Sequence, residues 1–88
     1  MAWFVYLVRC RDDSLYCGIT TDPDRRVAEH NGERDGGARY TRSRRPVALV
    51  HLEGFVSRAG AARREAAIKR MGHPQKLNLI QSGALMQD

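Results

Sequence analysis

Residues 3–31 constrain this chain more than any other stretch, because two strand patterns, a turn and a helix start follow one another with almost no slack. Trp3 to Cys10 is rich in Val, Tyr, Phe and Trp, side chains that suit a pleated surface. It is nearly all apolar, so both faces should be covered and the strand should be central. Arg11-Asp12-Asp13-Ser14 is turn chemistry. Leu15 to Ile19 resumes a strand, which makes the pair a hairpin. Thr21-Asp22-Pro23-Asp24 then opens a helix, with Asp22 suited to the N-cap and Pro23 to the first helical position. That helix should run to about Asn31 and stop at Gly32.

Hairpin register decides which side chains meet. Tyr6 shares a face with Cys10, because strand side chains alternate. If Cys10 lies opposite Tyr16 across an odd-numbered loop, Tyr6 and Tyr16 emerge on one face. With Asp12-Asp13 alone as the loop, the two rings would point apart. The first arrangement, or an equivalent bulge, is expected. It also turns Cys10 and Cys17 away from each other. Gly18, inside the second strand, marks a bulge or a close approach. On the helix, Arg26 and His30 are four apart and share a face, while Val27 should pack inward.

The rest of the chain reads as one irregular segment, a strand and two helices. Gly32 to Arg45 is the longest irregular stretch. It ends in Arg39-Tyr40-Thr41-Arg42-Ser43-Arg44-Arg45, four arginines in seven residues with no acid among them. Arg39, Tyr40, Arg42, Arg44 and Arg45 suit contact with a phosphate backbone, with stacking. Pro46 to Phe55 is a third strand, with Val47, Leu49, His51 and Glu53 on one face. Ser57 caps a helix from Arg58 to Met71, and Gly72 closes it. Glu65 borders the apolar side of that helix. Pro74 to Ser82 forms a last helix stopped by Gly83, and the chain from Leu85 onward should fray. The expected fold is α+β: a three-stranded antiparallel sheet flanked by helices in the order β-β-α-β-α-α, a single domain over residues 1–84 with 85–88 as a tail.

Composition narrows the function classes. The 88 residues suffice for one domain with a modest core. No apolar run is long enough to span a bilayer, and the N-terminus lacks the basic region of a signal peptide. A cytoplasmic location is the expectation, with no membrane partner. Two cysteines are too few for a disulfide scaffold and lack zinc-site spacing. Lys and Arg number 15 against 10 Asp and Glu. Most of the basic residues are Arg, the side chain suited to bidentate phosphate contact.

Two phenols, a guanidinium, an imidazole, a carboxylate and a basic loop are thus set on one small domain. Val5-Tyr6-Leu7 and Tyr16-Cys17-Gly18 resemble the two signature tripeptides of the GIY-YIG nuclease superfamily. Thr20 to Arg26 with His30 resembles the helix that follows them there. The match covers nearly the whole chain and is similar in length to the small stand-alone bacterial branch. The first tripeptide departs at Val5 and Leu7, and the second at Cys17.

The resemblance implies roles. Tyr6 is the phenol nearest the attacking water and a candidate general base. Tyr16 orients water or phosphate, Arg26 binds the scissile phosphate, and His30 assists proton transfer. Glu65 holds one divalent cation, Mg²⁺ or Mn²⁺. Such a cation keeps several waters, so a single carboxylate with substrate phosphate can hold it. A free tyrosine titrates near pH 10, about three units above neutrality, so Tyr6 as a base needs a nearby cation. The implied activity is a metal-dependent endonuclease hydrolysing phosphodiester bonds in DNA, with repair or recombination as its setting and a protein partner for target selection. The alternative is a non-catalytic nucleic-acid-binding module that keeps the fold and the basic loop.

Overall fold

The computed structural model describes residues 2–86. Its elements are β1 (Trp3–Arg9), β2 (Leu15–Thr20), α1 (Pro23–His30), the single-turn α2 (Arg39–Arg42), β3 (Ala48–Phe55), α3 (Arg58–Lys69) and α4 (His73–Met86). The strands form one antiparallel sheet in the order β2-β1-β3, so β1 is central, as its continuous apolar character requires. No helix among the described residues is long and apolar enough to cross a membrane.

Because side chains alternate along β1, the strand feeds two separate cores. Val5 and Leu7 join Cys17 of β2 and Ala61 and Ile68 of α3. Tyr6 and Val8 join Cys10 and Val47 on the other face, with Tyr16, Val27 and Leu52 packed around them. Val27 therefore packs inward as expected. Each fully buried aliphatic side chain contributes about 1.5–3 kcal/mol. Cys10 and Cys17 are both free, and they lie on opposite faces.

The hairpin register differs from the expected one by two residues. Val8 faces Tyr16 and Tyr6 faces Gly18, and Cys10 closes the loop on Ser14 through its N–H to the Ser14 carbonyl at 2.9 Å. The loop is Arg11-Asp12-Asp13, with Asp13 at φ 66°. This is the three-residue hairpin with a left-handed last position, which an aspartate tolerates. A shift of two preserves parity, so Tyr6 and Tyr16 still share a face.

In β3 the expected alternation breaks. His51 faces Leu7 but Leu49 faces Val8, so Val50 is one residue too many for β1. This bulge sends Val47 to the Tyr6 core, while Val50 joins the Val5 core. The four residues expected on one face are therefore divided.

The helix starts follow their caps. Asp22 accepts the Arg25 backbone N–H at 3.1 Å with Pro23 behind it, and Ser57 accepts from the Gly60 N–H at 3.1 Å, each cap being worth about 1 kcal/mol. α1 ends at His30, with Asn31 as C-cap and Gly32 at φ 79°. The helix expected to stop at Gly83 instead continues to Met86. Gly83 is there for another reason: a β-carbon on it would lie 2.6 Å from His51 Nδ1, so only a glycine lets α4 cross the His51 ring. Of the tail expected to fray over 85–88, residues 87 and 88 lie outside the described residues.

Candidate active site

Tyr6 organises the face that carries α1 and α2. Its ring lies flat across Gly18, where any β-carbon would collide with the hydroxyl. That contact explains the strand glycine as a close approach. The hydroxyl has two partners, His30 Nε2 at 2.7 Å and Arg26 Nε at 3.3 Å. Arg26 and His30 reach it together because they stand one turn apart on α1.

The hydrogen-bond network assigns the His30 tautomer. Thr41 Oγ1 donates to the Ala38 carbonyl at 3.1 Å, so it accepts from His30 Nδ1–H at 2.8 Å. His30 Nε2 then carries a lone pair and accepts the Tyr6 proton. Donation runs one way, from Arg26 to Tyr6 to His30 and from His30 to Thr41 to the backbone. No buried polar side-chain atom among the described residues lacks a partner.

Electrostatics fix the resting protonation. Burial pushes the Tyr6 phenol up to about 12 and outweighs the lowering by Arg26. Burial, then the Arg26 charge, pushes His30 down to about 4. Burial works to lower the Arg26 pKa, but its bonds to Glu29 and Tyr6 outweigh that and raise it. At neutral pH the trio is a neutral phenol, a neutral imidazole and a guanidinium. The expected lowering of the Tyr6 pKa by its cation is thus present but is overcome by desolvation. Tyr6 is also only 1% exposed, so it does not face water in this conformation.

Tyr16 is the more accessible phenol. It meets the His30 ring edge-on at 5.2 Å and stacks on Tyr40 at 5.7 Å. The Arg44 guanidinium lies 4.0 Å from the Tyr40 ring centre.

The basic segment divides into two roles that its sequence does not separate. Arg44 is held by Asp12 at 3.1 Å and by the Tyr40 carbonyl at 2.8 Å. Arg45 donates from Nε to the His30 carbonyl at 2.6 Å and covers Gly32. Both are internal braces, and the Tyr40 ring is engaged by Tyr16 and Arg44. Arg39 and Arg42 are exposed on α2.

Glu65 stands apart from the other four. It projects from α3, which packs on the Val5–Leu7–Cys17 face, and it pairs with Lys69 at 3.3 Å. Its neighbour across the interface is Cys17, whose thiol burial first, and then the Glu65 charge, push up to about 11. Tyr6, Tyr16, Arg26 and His30 are therefore brought together, and Glu65 lies across β2 from them. Among the described residues no group of three or more His, Cys, Asp or Glu could hold a metal ion. One partly exposed carboxylate fits a hydrated hard cation that takes its remaining ligands from water and phosphate.

Three residues of the site had no signal strong enough to single them out. Thr41 orients His30 but reads as one polar residue in an arginine run. Glu29 binds Arg26 at 2.8 Å, a pairing visible only as an i, i+3 spacing. Asn31 clamps Val47, accepting its N–H at 2.7 Å and donating to its carbonyl at 3.0 Å.

Comparison with known proteins bears on the family and the fold. The sequence pattern of the GIY-YIG catalytic domain matches residues 2–78. The chain is 52% identical over 81 residues to a UPF0213 protein of Desulfotalea psychrophila, covering 92% of this chain and 73% of that one. It is 49% identical over 78 residues to a UPF0213 protein of Staphylococcus haemolyticus, covering 89% and 93%. Among solved structures it is similar to the solution NMR structure of a UPF0213 protein from Bacillus halodurans, with TM-score 0.59, 40% identity and coverage of 92% and 84%. A solution NMR structure of an E. faecalis protein gives TM-score 0.65 at 38% identity, covering 97% of this chain and 88% of that one.

Proposed function

The chain belongs to the GIY-YIG family, and from that membership we propose that it is a divalent-metal-dependent endonuclease hydrolysing phosphodiester bonds in DNA. The observation that carries the proposal is the one-way hydrogen-bonded chain Arg26–Tyr6–His30–Thr41. A structural tyrosine needs one partner for its hydroxyl. This one has a cation on its oxygen and a proton acceptor on its hydrogen, which is how a phenol is prepared to exchange protons.

In this reading Arg26 binds the scissile phosphate. The arriving anion offsets the Arg26 charge, one of the causes that hold His30 down, so substrate itself readies His30 for a proton. Tyr6 takes a proton from water as it passes its own to His30 Nε2, and Thr41 keeps the imidazole in the tautomer that allows this. Tyr16, stacked on Tyr40, positions the phosphate or the water. Glu65 would hold the Mg²⁺ or Mn²⁺, which supplies charge neutralisation at the phosphoryl oxygens. Arg39 and Arg42 carry backbone contact. Repair or recombination of DNA is the setting that suits a small cutter of this kind, with a protein partner choosing the target.

A second reading is favoured by two observations: Tyr6 is enclosed, and Glu65 lies on the other side of the sheet. On that reading the protein binds nucleic acid without cutting it. A nicking assay on plasmid, branched and single-stranded DNA, with and without Mg²⁺ or Mn²⁺, separates them. Cleavage that is lost in Tyr6→Phe and Glu65→Ala supports the enzyme. Binding to all three substrates with cleavage of none would establish the binding module instead.

A further inference from the structure

Three of the five donors of Arg26 are already in use. Nε points to Tyr6, and both hydrogens of Nη1 are taken, by Glu29 Oε1 at 2.8 Å and by the Gly36 carbonyl at 2.7 Å. The segment that supplies Gly36 is folded tightly onto α1. Gly36 is at φ 109°, a conformation that favours glycine, and a β-carbon on Gly37 would strike the Glu29 carbonyl oxygen. A phosphodiester bridging Nη1 and Nη2 would take one Nη1 hydrogen now held by an acceptor of the protein itself, and the carboxylate of Glu29 is the like-charged one it would replace. Glu29 has a second cation beside it: its Oε2 lies 3.7 Å from Arg25 Nε, and the Arg25 side chain is 47% exposed.

We propose that Glu29 is a displaceable occupant of the phosphate position on Arg26, handed to Arg25 when nucleic acid binds. The proposal rests on the nuclease reading only in taking Arg26 as the phosphate ligand. A mononucleotide and a strand each displace Glu29 with one phosphate. A strand brings further phosphates to Arg39 and Arg42, which the same segment carries, so it can offset the exchange with contacts the mononucleotide lacks. Glu29 therefore sets a cost that both ligands meet and that the added contacts of a strand offset.

The test is binding without chemistry. Fluorescence anisotropy in EDTA measures a labelled single-stranded oligonucleotide of about ten nucleotides, the span of one such groove, and competition measures thymidine 5′-monophosphate. Glu29→Gln keeps a neutral hydrogen bond to Arg26. Glu29→Asp keeps the charge on an arm too short to reach it. Both should bind the oligonucleotide about fivefold tighter, the scale of one partly exposed ion pair. The gain should be the same for the mononucleotide, because both ligands make the same exchange. Arg25→Ala should weaken oligonucleotide binding in the wild-type background and have no effect in Glu29→Gln, because its role passes through Glu29. Unchanged or weaker binding in both Glu29 variants overturns the proposal, as does a gain confined to the oligonucleotide, which would mark a general repulsion and not an exchange at Arg26, or an absence of binding in every form. Tighter binding by these variants with no cleavage by wild type would retain the exchange and remove the enzyme reading, so the two failures are distinguishable.

Discussion

The two faces of the sheet use the same strand in opposite ways. On one, Val5 and Leu7 meet Ala61 and Ile68, and the contacts are almost wholly apolar. On the other, Tyr6 and Val8 sit beneath a histidine, a threonine and an arginine joined by hydrogen bonds, with a second tyrosine edge-on to the histidine. Both faces bury their β1 side chains almost completely. The difference is that the first face is held by burial, which is non-directional, and the second by donors and acceptors that must all be matched. A polar core of this kind can be tuned for proton exchange because its stability is supplied elsewhere.

Four experiments would break or sharpen that contrast. The largest effect is expected from Tyr6→Phe, which should lower DNA cleavage about 10²–10⁴-fold. It should cost only about 1–3 kcal/mol of stability, for the His30 and Arg26 groups left without a partner. Loss of folding in parallel with loss of cleavage, read by circular dichroism, would show that the polar face is structural after all. Leu7→Ala, one position along the same strand, should do the reverse. Denaturant unfolding should register a loss of about 2–5 kcal/mol, while the folded fraction keeps its cleavage rate.

The third experiment is pH. His30 has its folded pKa pushed down to about 4, so below its ordinary range the unfolded chain binds the extra proton and the native state does not. Stability should therefore fall as pH drops from about 6.5 to about 4, at up to about 1.4 kcal/mol per pH unit. His30→Gln should flatten that part of the curve in thermal melts, and an unchanged slope would place the acid sensitivity elsewhere. The smallest effect is expected from Arg42→Ala. It should weaken DNA binding across all sequences and reduce the salt slope by about 1. Arg44→Ala, whose guanidinium braces Asp12 and Tyr40, should leave that slope nearly unchanged.

The sequence was most informative where a local rule fixes a local outcome. The central strand followed from its unbroken apolar run, and the start of α1 from Asp22-Pro23. The shared face of the tyrosines survived a two-residue error in register, because faces depend only on parity. Other features depend on contacts between distant residues. The role of Gly83 is set by His51, some thirty positions away, whereas read locally an isolated glycine near a helix end signals a stop. The division of the arginine run was equally hidden, since Arg45 differs from Arg42 only in having the His30 carbonyl within reach. The bonding of Glu29 to Arg26 could be seen as spacing, but the Gly36 carbonyl that completes it could not.

The extra residue in β3 acts as a sorting device. Carried forward from the pairing of Leu49 with Val8, an uninterrupted strand would aim His51 and Glu53 toward the tyrosines. Glu53 would then bring a carboxylate to the face that carries Tyr6, Tyr16 and His30. The one-residue stutter at Val50 turns it to the far wall instead, where Arg64 neutralises it at 2.8 Å, and so leaves the tyrosine face without that charge.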